Sequence, residues 1–232
     1  MVTIELRLRP VKPFFSARGP KDKKMNFEFV AGNLALDFAN LVHNHGSKAP
    51  GKDPGKDPEK DPEDDLKTYA DLIAWCHQAG LLSHGQWRQL EKRKSAPASA
   101  DFQRAVALRE SLYEVFSRIA LGQIVRPEAL RRLNGHFRDA MAAASLRSAG
   151  KRFEMTWDDR GASLQRVWGE VTRSAVSLLT SDRLHRVRQC AGENCTWLFL
   201  DTSRNGMRRW CDMQACGNRF KVQRFRKRNA GR

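Results

Sequence analysis

Cys190-Ala-Gly-Glu-Asn-Cys195 and Cys211-Asp-Met-Gln-Ala-Cys216 are the two stretches that decide the fold of the C-terminal part of this chain. In each stretch four residues separate the two cysteines, and 15 residues lie between the stretches. Zinc prefers a tetrahedral shell, which four thiolates can complete if the chain between the pairs folds back on itself. The spacing therefore predicts one zinc ion, and because sulfur fills all four positions its role should be structural.

The residues between the cysteine pairs predict a β-hairpin. Trp197 to Leu200 alternate as in a strand, Thr202 to Gly206 form a polar turn, and Met207 to Trp210 return as a second strand. The alternatives to zinc are two disulfides or four unrelated buried thiols. The sequence shows neither a secretory signal nor a hydrophobic run of spanning length, so we expect no membrane contact and a reducing, cytoplasmic location that favours metal. Cys76, in an apolar helical stretch, should be an ordinary buried thiol.

The residues after Cys216 predict a basic helix. Phe220, Val222 and Phe225 are expected to face the module formed by the cysteine stretches and the hairpin, called the finger below, which leaves the basic side chains toward solvent. Residues 183–232 contain 13 Lys and Arg against 3 Asp and Glu, so this segment carries +10 of the net charge of +16. A basic helix on a rigid metal-bound module is typical of a protein that binds the phosphate backbone of nucleic acid. The alternative is a solvated face that attracts any polyanion.

The candidate nucleic-acid contacts lie at the predicted hairpin and on the basic helix. They are Arg204, Arg208, Arg209, Arg219, Lys221, Arg224, Arg226, Lys227 and Arg228. Arg208 and Arg209 carry a sharper hypothesis: one of them reads a guanine in the major groove, or else both brace the finger or contact phosphate. DNA is the expected partner, and RNA or a ribosome-associated role is the alternative because phosphate attraction does not distinguish the polymers.

The preceding part of the chain predicts a mainly α domain of the α+β class. Phe27 to Phe29 and Phe153 to Trp157 alternate as two short strands, which are expected to pair. Apolar residues at helical spacing predict six helices over residues 34–42, 65–77, 84–94, 101–121, 127–144 and 164–179. We expect three segments: a basic extension at 1–24, a helical domain at 25–182 and the finger module at 183–232.

A low-complexity loop is predicted at residues 48–64. Lys52-Asp-Pro54, Lys56-Asp-Pro58 and Lys60-Asp-Pro62 repeat there with a period of four. Proline at every fourth position blocks both a helix and a β-ladder, so the repeat predicts a solvated insertion.

Catalysis is not expected from this sequence. The histidines match no metal-ligand pattern, and the chain has neither a phosphate-binding loop nor a nucleophile elbow. Asp37 and Asn40, which interrupt an apolar helix, are the remaining candidates, and Arg109 is a plausible partner for them. The three residues predict an internal polar clamp, and the alternative is the floor of a pocket for a small-molecule effector.

Several of these stretches resemble a known family. Phe199-Leu-Asp-Thr-Ser-Arg-Asn-Gly206, Arg208-Arg-Trp-Cys-Asp-Met213 and Cys216-Gly-Asn-Arg-Phe-Lys221 are similar to the CGNR zinc finger. That finger follows a domain called ABATE, which residues 27–40 and 69–75 resemble. The resemblance implies a bacterial, stress-related transcription regulator. We therefore expect a DNA-binding regulator with a helical sensor or scaffold domain; the alternative is a ligand-binding or enzymatic domain whose finger mediates assembly.

Overall fold

The computed structural model of the chain describes residues 27–42, 64–93, 96–157, 163–193 and 195–229. The predicted extension at 1–24 and the Lys-Asp-Pro repeat lie outside these residues. As the sequence predicts, the described part is mainly α-helical and carries two small antiparallel strand pairs. None of the described helices combines the length and apolar character that crossing a bilayer requires.

All six helices predicted before the finger are present, with ends that differ by a few residues. They are α1 (Leu34–Ala39), α2 (Tyr69–Gln78), α3 (His84–Glu91), α4 (Ala96–Ala120), α5 (Pro127–Ala142) and α6 (Gln165–Leu179). Local signals start them. Asn33 caps α1 through its side chain, Thr68 and Ser83 form capping boxes at α2 and α3, and Pro127 occupies the first turn of α5.

Helix α4 is the centre of the fold, because it packs against α1, α2 and α5 and also reaches the strands of the finger. Its buried face includes Leu108, Leu112 and Phe116. One continuous hydrophobic cluster contains both Trp168 of α6 and Phe199 of the finger. The finger therefore shares its core with the helical domain.

The predicted pairing of the first two strands is wrong. Residues 27–30 form no strand, and the backbone N–H and C=O of Phe27 bond instead to the side-chain amide of Gln78, at 3.1 and 2.8 Å. The strand around Phe153 is present as β2 (Arg152–Trp157), but its partner is β1 (Ala144–Ala149), directly before it in the chain. A tight turn costs less chain entropy than closure of a loop across most of the domain.

The strand before the polar turn of the finger also pairs with a different segment from the one predicted. Strand β4 (Leu198–Leu200) pairs with β3 (Val187–Gln189), which precedes the first cysteine, whereas residues 207–210 form no strand. After β4 the chain is held by Asp201, whose carboxylate accepts bonds from the backbone N–H of Ser203 and Arg208, each at 2.9 Å. These bonds close a turn and take the place of a second ladder.

The other side of β4 is held by the helical domain. The backbone N–H of Leu200 donates to the carbonyl of Ala31 at 2.8 Å. The side chain of Asn40, at the end of α1, bonds to both the N–H and the C=O of Leu198, each at 2.8 Å. The strand that leads out of the first cysteine pair is thus fixed between β3 and the start of the helical domain.

Candidate metal centre and the basic surface around it

The β3–β4 pair positions the first two cysteines. Cys190 directly follows β3, and its N–H donates to the carbonyl of Trp197 at 2.8 Å, which extends the ladder to the cysteine itself. The N–H of Ala191 donates to the carbonyl of Arg209 at 2.8 Å, which brings the segment before Cys211 against the first turn. The two cysteine pairs meet for this reason, although the hairpin differs from the one predicted.

The four sulfur atoms form a compact cluster. All four lie within 4.8 Å of one another, and the distances from Cys211 Sγ to Cys195 Sγ and to Cys216 Sγ are both 3.7 Å. A tetrahedron with Zn–S bonds of about 2.3 Å has S···S edges of about 3.8 Å. The S···S distances of 3.7 Å are also far longer than a disulfide bond, which is about 2.05 Å. The donor set and its spacing therefore fit one zinc ion and not two disulfides.

Backbone groups approach the sulfur cluster closely. The N–H groups of Gly192 and Cys211 both donate to Cys190 Sγ, at 3.4 Å. A Cβ atom at Gly192 would lie 3.1 Å from Cys195 Cβ and 3.4 Å from Cys216 Sγ. A side chain at this position would crowd the ligands, so the close approach favours glycine, a signal that the sequence reasoning missed.

The thiols depend on one another for their charge. Hydrogen bonds from the thiols of Cys195 and Cys211 lower the pKa of Cys190 to about 2, and the same contact with Cys190 raises the pKa of Cys195 to about 12. It also raises the pKa of Cys211, while burial raises that of Cys216. Without a compensating positive charge, ionisation of one thiol therefore opposes ionisation of its neighbours. A divalent cation stabilises all four thiolates, because a coordinating thiol is deprotonated outright.

The fifth cysteine lies away from this cluster. Cys76 is fully buried in the core of the helical domain, and burial raises the pKa of its thiol. It is the ordinary buried thiol that the sequence predicts.

Comparison with known families agrees with this geometry. Residues 186–229 match the CGNR zinc finger, and residues 32–182 match the ABATE family, which is described as a "putative stress-induced transcription regulator". The second match covers more than half of the chain. The chain belongs to the ABATE family. No curated protein matches it. In this ABATE chain the closed set of four cysteines holds one structural zinc ion, as the sequence predicts.

Most of the predicted nucleic-acid contacts are exposed in the ABATE chain. Those with exposed side chains are Arg204, Arg209, Arg219, Lys221, Arg224, Arg226, Lys227 and Arg228. The last six belong to α7 (Asn218–Asn229), which follows a π-helical turn that contains Cys216. The basic helix therefore begins at a metal ligand, as expected. Arg209 lies over the ring of Trp210, 5.3 Å from its centroid, and its side chain remains exposed.

Arg208 is an exception to this pattern. Its guanidinium donates to the carbonyls of Trp210 at 2.9 Å, Val30 at 3.1 Å and Cys211, and it lies 4.5 Å over the ring of Phe199. These bonds join the second cysteine pair to the segment before α1. Arg208 therefore braces the finger, which is one of the two alternatives given for this pair, and base readout by Arg209 stays a prediction.

The predicted inward face of the basic helix is wrong for two of its three residues. Phe220 is half-buried, with its ring centroid 5.5 Å from that of Trp210. Val222 and Phe225, however, are 48% and 58% exposed, and no residue of α7 is buried. Only Phe220 meets a surface to pack on, because the helix projects from the finger.

Asp37, Asn40 and Arg109 do not form the predicted clamp. Asn40 bonds to β4, as described above, and the carboxylate of Asp37 accepts from the N–H of Ala31 at 2.9 Å. Arg109 pairs with Asp64 at 2.7 Å and with its neighbour on α4. Each of these three side chains has its own partner within the protein, so the predicted pairing among them is wrong.

Proposed function

We propose that this chain is a cytoplasmic, DNA-binding transcription regulator whose finger contacts the phosphate backbone through α7, Arg204 and Arg209. The observation that carries the proposal is a difference in how the two parts of the chain use their arginines. In the helical domain, several arginines pair with carboxylates, as in Arg109–Asp64 at 2.7 Å and Arg173–Glu170 at 2.5 Å. Among the described residues, no basic side chain of α7 forms an ion pair.

Two of the three acidic residues of the finger are engaged with backbone N–H groups and not with these charges. Asp201 accepts the bonds that close the turn after β4, and Asp212 caps the π-helical turn by accepting from the N–H of Ala215 at 2.7 Å. Six of the 12 residues of α7 are Lys or Arg. Such a density of unpaired positive charge is stabilised by a polyanion, since each phosphate contact releases condensed counterions.

The rest of the chain supports this role by holding α7 in one orientation. Zinc ties the start of the helix to β3 and β4, and the strands share the core of the helical domain. We assign the helical domain the part of a scaffold. The proposal includes no catalysis, because four sulfur ligands leave the metal no open position at which to activate water.

The salt dependence of binding tests the proposal. The combined variant Arg224→Ala, Arg226→Ala and Arg228→Ala should weaken binding to labelled duplex DNA in fluorescence anisotropy. If each arginine meets one phosphate, the slope of log affinity against log salt should shrink by about 2.7, or about 0.9 per contact.

The matched control removes the same charge from an exposed helix of the other part of the chain. Arg126→Ala, Arg131→Ala and Arg138→Ala, at and on α5, should leave the slope unchanged. Equal slopes for the α7 variant and the unsubstituted protein would remove these arginines from the interface. Tighter binding to RNA hairpins than to duplex DNA would replace DNA by RNA as the partner.

A further inference from the structure

Helix α7 carries exposed apolar side chains on the face that points away from the finger, although a helix that is merely solvated would be expected to carry polar residues there. Phe220 packs on Trp210 and so determines which side of the helix faces the finger. Asn218, Val222, Phe225 and Asn229 recur at helical spacing and form a single row, the outer stripe. At 3.6 residues per turn, the centre of the outer stripe lies about 170° around the helix from Phe220. The stripe therefore points away from the protein.

Basic side chains border the outer stripe on both sides. At the same helical spacing, Arg219 and Arg226 lie roughly 70 to 90° to one side, and Lys221 and Arg228 lie roughly as far to the other. All four side chains are exposed. The exposed face of α7 is thus a narrow apolar and amide row between two parallel rows of positive charge.

This arrangement matches the cross-section of a DNA major groove. The groove is about 12 Å wide, a helix with its side chains is about 10 to 12 Å across, and phosphates line both edges of the groove. The floor presents the C5-methyl group of each thymine, which apolar side chains contact, and an adenine edge that suits an asparagine amide. A membrane surface fits less well, because a helix that lies in a bilayer interface needs a wide apolar face and the outer stripe has two apolar residues.

We propose that α7 lies in the major groove of duplex DNA with Val222 and Phe225 packed on thymine methyl groups, so that the finger selects sites that contain A·T pairs. The two basic rows contact the phosphates of opposite strands. This inference rests on the proposed function, since it requires that the finger bind DNA, and it goes further by naming the feature of the bases that is read.

Replacement of thymine by deoxyuridine tests the inference, because it removes the methyl group and leaves every phosphate in place. The zinc-loaded full chain is used to select duplexes from a random-sequence library, and the selected duplex is remade with deoxyuridine at all thymine positions. The unsubstituted protein should bind the deoxyuridine duplex about fourfold more weakly for each methyl group that it contacts. The double variant Val222→Ala and Phe225→Ala should bind both duplexes equally and keep its salt slope.

The matched control removes two apolar side chains elsewhere that are more exposed than Val222 and Phe225. Leu146 and Phe153, on the β1–β2 hairpin, are 73% and 76% exposed, and their replacement by alanine should leave the preference for thymine intact. If the unsubstituted protein enriches no sequence, or binds the thymine and deoxyuridine duplexes equally while its salt slope stays steep, the groove inference is overturned and DNA binding stands. If the protein binds no duplex DNA, both the inference and the proposed function are overturned.

Discussion

Replacement of Asn40 by alanine should uncouple the finger from the helical domain. The side chain is 4% exposed and satisfies both backbone groups of Leu198 at 2.8 Å. Alanine leaves that buried N–H and C=O without these partners, at about 1 to 3 kcal/mol for each group. We expect the free energy of unfolding to fall by about 2 to 6 kcal/mol.

Asn33 provides the control, because it is the same residue type on the same helix. Its side chain caps α1 at the N–H groups of Ala35 and Leu36 and makes no described bond to β4. The variant Asn33→Ala should lose about 1 kcal/mol, the usual effect of a lost helix cap. The two variants therefore separate a loss of helix stability from a loss of the contact with the finger.

Two measurements compare these variants. Urea unfolding followed by circular dichroism gives the free energy, and a chromophoric chelator gives the rate of zinc release. Asn40→Ala should release zinc faster than Asn33→Ala, because β4 leads directly out of the first cysteine pair. If Asn40→Ala costs no more than Asn33→Ala and releases zinc at the same rate, the conclusion that α1 holds the finger is wrong.

Two further predictions concern the metal and the pH dependence of stability. Cys211→Ser should lose zinc in elemental analysis, whereas Cys76→Ser should keep one zinc per chain. Cys211→Ser should also unfold in one transition at a lower urea concentration, because the finger and the helices share a core. Full retention of zinc by Cys211→Ser would contradict this ligand assignment. Burial raises the pKa of Asp37 from 3.8 to about 7, so between these values the folded protein keeps a proton that the unfolded chain has released. The contribution of Asp37 to stability is therefore greatest below about pH 4 and falls as the pH rises to 7, by about 4 kcal/mol at most. The variant Asp37→Asn should abolish this fall. Parallel curves of stability against pH for the two proteins would show that Asp37 does not cause it.

The zinc ligands and the helices were predictable because their signals are local. Each pair of cysteines is five positions apart, so a short turn suffices to bring its two sulfur atoms together. The helices of the N-terminal part follow from apolar spacing, and caps such as Thr68 and Ser83 mark where they start. The exposed basic row of α7 likewise follows from composition over a dozen residues.

The misplaced strands show where local reasoning fails. Strand β3 has three residues, too few to show an alternating pattern, whereas the Asn205-Gly206 turn favours a hairpin between β4 and the residues that follow the turn. The chain does turn there, but the turn is closed by bonds from the N–H groups of Ser203 and Arg208 to the carboxylate of Asp201 and not by a second strand. The sequence Asp201-Thr-Ser203 is a turn signal of its own, because an aspartate side chain readily bonds to the backbone two residues ahead.

The zinc ligands, the helices and the location of the charge follow from the sequence, because each depends on residues close together in the chain. The partners of the buried polar residues, in contrast, depend on contacts between distant parts of the chain. Arg208 reaches the carbonyl of Val30 across 178 positions, and Asn40 reaches Leu198 across 158. Tertiary packing also decided that Phe220 faces the finger while Val222 and Phe225 face outward. Apolar spacing identifies the rows of a helix, but only the surface that the helix meets determines which row is buried.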